Sequence, residues 1–481
     1  MSTAMDILAE LDTFGIKAAR LCADSRQVAP GDVFVAMPGH RVDGRAFVAD
    51  AVARGAAAVL FEPGMEVVTS VPAIGVPNLV ALSGEIAHLV YGRPSERLWM
   101  AGVTGTNGKT SVSQWIAQAL ALLGCPCAVV GTLGNGFPGK LAPSLNTTPD
   151  AIALHGLLAG FVEQGAQACA MEVSSIGLDQ NRVAGVSFDV AVFTNLTRDH
   201  LEYHGSMEAY GAAKAKLFGT PGLGAAVLNL DDPFGARLAA DLDGKLPVIG
   251  YTLEGRAGNE TVLAARDLAM DGAGIAFTAD GVRFRAPVVG RFNVANLLAV
   301  IGALLAQGKA LDEIAAVLPR LAPPPGRMQA IGGEKKPLVV IDYAHTPDAL
   351  EKVLTTLHEA ATARSGRLIC VFGCGGDRDP GKRPLMGTVA ESLADAIWLT
   401  SDNPRSEDPA AIVAAIVAGM KTRPTIELDR AEAIRRAVED AGPRDVVLLA
   451  GKGHEPYQEI AGVRQPFSDL ERARVALEQF S

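Results

Sequence analysis

Residues 99–116 read WMAGVTGTNGKTSVSQWI: an apolar strand-like run, a glycine-rich turn and then an amphipathic helical pattern. That order is the context of a phosphate-binding loop. Gly105 and Gly108 let backbone N–H groups approach phosphate oxygens, and Lys109 adds a point charge. Thr110 offers a hydroxyl to Mg²⁺, and the start of the helix favours an anion. Thr106, Asn107 and Ser111 complete the candidate nucleotide-binding stretch. The loop is a variant, since Val103 stands where the usual pattern has its first glycine. Without its flanks it would read as a plain strand-to-helix turn. A phosphate loop also leaves the reaction open, because motors, kinases and transporters share it.

Two further polar groups follow apolar runs and belong at the same edge of a sheet. Glu172 closes the run ACAME, and His200 lies in FTNLTRDHLEYHG. Beside Thr110 they can ligate a divalent ion and offset charge while a phosphoryl group moves. His200 and His204 also admit a surface helix face or a zinc pair, but a third ligand at motif spacing is missing.

The elements that must position these groups are legible as alternating strands and helices. Length alone implies about three domains. Residues 1–97 carry short apolar segments (VFVAM, AAAVLF) between Pro-Gly turns, the pattern of a small α/β unit whose exit linker is the RPSE stretch at residues 93–96. Residues 98–325 alternate strand-like runs (LWMAGV, ACAMEV, FDVAVFTNL, AAVLNL) with helices, as in a mostly parallel sheet covered on both faces. Residues 110–139 carry no charge, yet polar residues, Gly124 and Pro126 interrupt them, so they read as a buried helix and strand and not as a membrane span. Three consecutive prolines at 323–325 end this domain. Residues 326–481 bring a fresh set of strands (LVVID, RLICVFG, DAIWLT, DVVLLAG), hence a doubly wound, Rossmann-like domain. The fold class is therefore three-domain α/β.

Hydrophobic residues make up 49% and charged residues 20%, the balance of a packed globular protein. A net charge of −10 disfavours nucleic acid and anionic membranes as partners, and a nucleic-acid-dependent motor with them. The acidic start carries no export signal, and the six cysteines fit neither a disulfide framework nor common zinc spacing. Buried reduced thiols, and hence the cytoplasm, are expected.

The motifs GTNGKTS, NTTPD, EVSSIGLDQNR, FTNLTRDHLEYHG, AAK at 212–214, GRFNVANLLA, DYAHTPDAL, FGCGGDRDPGKRPLM, SDNPRSEDP and GKGHE, in this order, resemble the Mur ligase family, most of all its MurE-type branch. The resemblance runs from about Asp24 to the final helix. It implies an ATP- and Mg²⁺-dependent ligase of peptidoglycan precursor synthesis that joins meso-2,6-diaminopimelate to UDP-N-acetylmuramoyl-L-alanyl-D-glutamate. The intermediate would be an acyl phosphate.

Residue by residue, Lys214 matches the lysine that the family carries as a carbamate (N6-carboxylysine) and uses for metal; unaided it reads as a solvated helix residue. Asn296, Arg327 and Asp342 match adenine and ribose contacts, with His345 in the same loop. Ala23, Ser25 and His40 match the uridine-binding segments. Thr147, Thr148, Ser174, Gln180 and Arg182 match contacts to the pyrophosphate, sugar and peptide. Asp402, Asn403, Pro404 and Arg405 match the diaminopimelate signature, with Arg378, Gly451 and Glu455 as the remaining contacts. A guanidinium fork suits a carboxylate, and the resemblance implies that Arg405 and Asn403 hold the distal carboxylate that lysine lacks, with Glu455 pairing a distal ammonium. Alone, these four residues would be a turn with a solvated arginine.

The family usually has histidine where this chain has Ile176, and a second threonine is common at Ser111. Three other readings compete: a lysine-adding or folate-type ligase, and a non-catalytic nucleotide-binding regulator. The regulator would be marked by loss of Lys109, Glu172 or Lys214, and all three are present. A closing C-terminal domain and a monomer are expected, since one chain can supply the whole site.

Overall fold

The computed structural model describes residues 3–39, 42–144, 146–255, 261–271 and 274–480. Three α/β units follow one another along the chain. In the first, strands Leu21–Cys22, Val33–Ala36, Ala58–Phe61 and Ala73–Gly75 form a parallel sheet in that order. Helices Ala4–Thr13 and Leu79–Val90 cover one face and Val48–Ala53 the other. The unit docks on its neighbour through backbone-close packing: a Cβ on Gly84 would lie 2.2 Å from the Ala184 carbonyl oxygen. The RPSE stretch is a packed joint and not a loose linker. Pro94 and Ser95 are buried in a short 3₁₀ turn, and the Ser95 hydroxyl accepts from Ser187 N–H at 3.0 Å.

The central unit holds nine strands. Their spatial order is Thr261–Ala264, Val248–Thr252, Ala225–Asn229, Val190–Phe193, Trp99–Thr104, Ala168–Glu172, Cys127–Gly131, Gly134–Phe137 and Lys140–Ala142. The first seven are parallel and the last two antiparallel. The strand Trp99–Thr104 is central, so its carboxyl end meets those of Ala168–Glu172 and Val190–Phe193. Helix Lys109–Leu122 buries Val112, Trp115, Ile116, Ala119 and Leu120, a spacing that keeps one face against the sheet. It packs with helix Arg291–Ala306 in one apolar core.

Into that core also points a three-stranded antiparallel meander, Arg266–Asp271, Gly274–Ala279 and Val282–Ala286, which the strand runs read from sequence omit. Its last turn is carried by Asp280 and Gly281, both at positive φ (46° and 77°), the hairpin signal that marks it in the sequence.

In the third unit the order is Gln329–Gly332, Leu338–Asp342, Val446–Ala450, Leu368–Phe372, Ala396–Leu399 and Thr425–Ile426. Only the first is antiparallel. Helices cover both faces. Strand order departs from chain order around Val446–Ala450, which places a ligand crevice beyond its carboxyl end.

All six cysteines are buried and free. Among the described residues no helix is long and apolar enough to cross a membrane.

Beneath the crevice, Arg430 and Asp469 form a fully buried ion pair at 2.7 Å, and Arg430 also donates to the Ala450 carbonyl at 3.0 Å. Removing one partner strands the other charge in the core. Arg430→Ala is expected to destabilise this unit by about 3–5 kcal/mol in urea unfolding, and the paired apolar replacement Arg430→Met/Asp469→Leu by much less.

Candidate active site

After Thr104 the chain turns through residues 105–108 into helix Lys109–Leu122. Two glycines are dictated by space. Gly105 has φ +146° and a Cβ there would lie 1.8 Å from Thr194 Oγ1; Gly108 has φ +87° and its Cβ would lie 2.5 Å from Asn296 Oδ1. The loop is pinned from the neighbouring strand end: Thr106 N–H donates to the Asn195 carbonyl at 2.8 Å, and Asn107 N–H to Asn195 Oδ1 at 2.9 Å. A cavity of about 810 Å³ opens beside it between the central and third units, with Gly108, Ser111, Asn296, Arg327 and Asp342 on its walls. Arg327 donates to Thr110 Oγ1 at 3.0 Å and lies 4.6 Å over the Tyr343 ring. Asp342 accepts from Met328 and Ala344 N–H at 2.8 Å each, and burial raises its pKa. His345 is not among the residues that line the cavity, and its Nε2 lies 3.7 Å from Asp199.

Lys109 Nζ donates to the carbonyls of Gly105 (3.0 Å) and Thr106 (2.8 Å). The side chain is half-buried but its ammonium is enclosed, and desolvation lowers its pKa against the opposing pull of Glu172 and Asp199. Lys214 comes from helix Met207–Ala215, is fully buried, and donates to the same Gly105 carbonyl at 2.8 Å. Its ammonium lies 4.3 Å over the Tyr210 ring. Desolvation, with Lys109 adding repulsion, holds the Lys214 pKa well below the usual lysine value. This lysine is therefore not the solvated residue that its sequence context alone indicates.

Glu172, buried at its strand end, accepts from Thr110 Oγ1 (3.0 Å), Thr132 Oγ1 (3.0 Å) and Thr132 N–H (2.9 Å). The hydroxyls of Thr110 and Thr132 with the Glu172 carboxylate make a set of hard oxygen donors that fits Mg²⁺. His200 makes no hydrogen bond to this set. It sits at φ 54°, and its ring nitrogens face Asp199 (3.5 Å) and Glu202 (3.7 Å). Among the described residues no three His, Cys, Asp or Glu side chains gather to hold a metal.

On the other side of Glu172 the residues matched to nucleotide-sugar contacts form one network. Thr147 meets Thr132 hydroxyl to hydroxyl at 3.0 Å, and Thr148 Oγ1 donates to the Glu172 carbonyl at 2.9 Å and accepts from Ser174 N–H at 3.0 Å. Arg182 donates to the Thr148 carbonyl (2.9 Å) and to Gln180 Oε1 (2.7 Å). Ile176 is half-buried in the short helix Ser175–Asp179. Ala23 and Ser25 lie in the first unit just after strand Leu21–Cys22, Ser25 buried. His40 lies outside the described residues.

A third cluster occupies the crevice of the C-terminal sheet. Residues 402–405 follow strand Ala396–Leu399, with Asp402 and Asn403 buried. Arg405 adopts φ 52° and is fixed by the hairpin of Tyr457–Ile460 and Val463–Pro466: its N–H donates to the Glu459 carbonyl and its carbonyl accepts from Ala461 N–H. Its guanidinium donates to the Gly376 carbonyl at 2.7 Å through Nη1 alone. Arg378 is exposed beside it. Asn403 donates to Glu455 Oε2 at 2.7 Å. Gly451, at φ +108°, leaves room for Asp402 Oδ2, 2.4 Å from where a Cβ would be.

Three family models match the chain: "Mur ligase family, catalytic domain" over residues 18–88, "Mur ligase middle domain" over 103–304 and "Mur ligase, glutamate ligase domain" over 326–453. The chain belongs to the Mur ligase family. Within it, the chain is 55% identical to UDP-N-acetylmuramoyl-L-alanyl-D-glutamate–2,6-diaminopimelate ligase of Ectopseudomonas mendocina, covering 96% of each chain. Its identity to the Pseudomonas aeruginosa protein of the same name is 54%, covering 95% of this chain and 94% of that one. A solved structure of a ligase of that name is 38% identical, with TM-score 0.67 and coverage of 96% and 95%. The MurF ligase of Thermotoga maritima, solved with ADP, is 19% identical with TM-score 0.67 over 96% and 98%, a likeness of fold.

Several residues of this Mur ligase site escaped the reading of its sequence. Thr132 directly follows strand Cys127–Gly131 at the active edge, a position that flags it. Tyr210 precedes Lys214 by one helical turn, and that spacing stacks the pair. Asp348 reaches Asn107 across the seam at 3.0 Å, and Arg198 pairs with Asp379 at 2.9 Å; no local pattern announces either.

Because Gly108 abuts Asn296 and needs positive φ, Gly108→Ala should weaken ADP binding by about tenfold or more, measured by isothermal titration calorimetry on protein of near-native melting temperature.

Proposed function

We propose that this Mur ligase adds meso-2,6-diaminopimelate to UDP-N-acetylmuramoyl-L-alanyl-D-glutamate at the expense of ATP, in peptidoglycan precursor synthesis. The observation that carries the reading is the arrangement of one guanidinium, Arg405, held in the crevice two residues after Asn403, which donates to the carboxylate of Glu455, on a chain 55% identical to a ligase of that name. A carboxylate and an ammonium at the far end of the incoming amino acid need such a pair.

In the reaction, a carboxylate oxygen of the D-glutamyl residue bonds to the γ-phosphorus of ATP while the bond from phosphorus to the β,γ-bridging oxygen breaks, releasing ADP. The amine of diaminopimelate then attacks the acyl carbon, inorganic phosphate leaves with the C–O bonding electrons, and a proton is lost to solvent. Lys109 offsets charge on the transferring group, while backbone N–H groups of residues 105–108 hold the phosphates. Arg327, Asn296 and Asp342 hold the nucleoside in the cavity. Ala23, Ser25 and His40 bind uridine, and Thr147, Thr148, Ser174, Gln180 and Arg182 bind the rest of the nucleotide sugar and peptide. Arg405 and Arg378 take the distal carboxylate and Glu455 the distal ammonium, on a platform of Asp402, Asn403, Pro404 and Gly451.

Thr110, Glu172 and a carbamate on Lys214 would hold Mg²⁺, with His200 as a further ligand; bound there, the ion supplies charge neutralisation during phosphoryl transfer. The depressed pKa of Lys214 favours this modification, because the free amine adds to CO₂ with loss of a proton. Seam contacts such as Arg327 to Thr110 support closure of the third unit over the centre, which excludes water from the acyl phosphate. Dependence on ATP, together with six buried free thiols, supports a cytoplasmic enzyme, and a site assembled from one chain supports a monomer.

Phosphate release with the UDP-dipeptide should be far more efficient with diaminopimelate than with L-lysine. Arg405→Ala should lower kcat/KM for diaminopimelate by roughly 30-fold or more, the scale of losing one partner of a hydrogen-bonded charge pair. Efficient turnover of lysine by the wild type would sink the amino-acid assignment and keep the ligase.

Protein equilibrated with ¹³C-bicarbonate should show a carbamate resonance that Lys214→Ala lacks. Since protonation of the amine removes the nucleophile, the resonance should fade as pH falls through the depressed Lys214 pKa, not near the ordinary lysine value.

A further inference from the structure

Lys452 is fully buried at the end of strand Val446–Ala450, so it cannot touch a ligand in the crevice. Its ammonium nevertheless donates to Asn403 Oδ1 at 2.9 Å and to Glu455 Oε2 at 3.1 Å, and lies 4.0 Å from Asp402 Oδ1. A lysine is rarely buried without a reason that outweighs its desolvation. Here the reason is local: two carboxylates, Asp402 and Glu455, share one corner with no other cation in contact with either among the described residues.

We propose that Lys452 is a specificity-determining positioning residue of the amino-acid site. Resting on the reading above, in which Glu455 takes a distal ammonium and Arg405 a distal carboxylate, the consequences are geometric and electrostatic. Geometrically, Lys452 and Glu459 N–H occupy Asn403 Oδ1, which turns Asn403 Nδ2 toward Glu455 and fixes the carboxylate that must meet the ammonium. Electrostatically, its charge offsets part of the negative charge of buried Asp402 and half-buried Glu455, which leaves the corner less attractive to a ligand ammonium. The net attraction for a ligand carrying an ammonium but no distal carboxylate is thereby reduced, and recognition depends on the Arg405 side. Without Lys452, the corner gains negative charge and loses its fixed geometry. Diaminopimelate then binds less well, while L-lysine is penalised less.

The test is steady-state kinetics of Lys452→Met in the full chain with ATP, UDP-dipeptide and either amino acid. Expected are a KM for diaminopimelate raised tenfold or so with kcat nearly kept, KM values for ATP and UDP-dipeptide within about twofold of wild type, and a roughly tenfold loss of discrimination against L-lysine. In a double-mutant cycle with Glu455→Gln, the Lys452 effect should shrink, because it acts through that carboxylate. An unchanged KM for diaminopimelate, unchanged discrimination, a parallel rise in all three KM values, or full additivity with Glu455→Gln would each overturn the proposal. If Lys452→Met does not fold, Lys452→Gln, which keeps a donor to Asn403 without the charge, should still lose discrimination, and retained discrimination there overturns it equally. A wild type inactive with both amino acids would overturn the functional reading itself, a result distinct from any of these.

Discussion

The Gly105 carbonyl oxygen accepts from two lysines at once, and much of the site follows from that crowding. Two ammonium groups on one acceptor, both deprived of water, repel each other more strongly than a single peptide dipole can offset. The group with less access to opposing charge gives way. Lys109 feels Glu172 and Asp199, whereas the attraction on Lys214 comes from Asp199 alone, and the depression is deeper at Lys214. Loss of the proton is therefore favoured more at Lys214, one helix away, than at Lys109 on the phosphate loop. Tyr210 packs its ring against Lys214, a contact that by itself favours the ammonium, and hydrogen-bonds its hydroxyl to Thr106.

That crowding depends on the central sheet. Gly105 lies where it does because strand Trp99–Thr104 sits between the strands ending in Glu172 and Phe193, so three strand ends open on one point. Thr194 then forbids any side chain on Gly105, and Asn296 any on Gly108. Helix Arg291–Ala306, which carries Asn296, packs against helix Lys109–Leu122 in a continuous apolar core. Core packing thus sets the width of the phosphate loop, and an enlarged residue in that core would be felt at the nucleotide.

Strand-and-helix alternation made the three sheets legible, because parallel strands covered on both faces are continuous apolar runs. Such runs as VAVF and LICVF are wholly buried. Less legible were elements whose partners are remote or whose strands are weakly apolar, such as RDLAMD in the meander and VRQP in the C-terminal hairpin. The site divided in the same way. The phosphate loop is a local pattern and stood out, but Thr132 and Lys452 are ordinary residues made important by what lies opposite. Lys214 is the sharpest case, since its surroundings come from the loop at Gly105 and from Tyr210, and its residue type alone assigns it to solvent.

The two halves of the chemistry are kept apart by the same means that joins them. The phosphate loop and the Glu172 corner belong to the central sheet, and the Arg405 crevice to the C-terminal one. Arg327 reaches Thr110, Asp348 reaches Asn107, and Asp379 reaches Arg198, so polar contacts bridge the seam, beside the packing of Phe292 against the third unit's core. Polar contacts at a partly wet seam contribute little net stability each, which permits opening and closing at small cost. They are also directional, so closure restores one register. Because Arg327 both lines the cavity beside the phosphate loop and holds Thr110, a ligand in that cavity would change the environment of a seam contact directly.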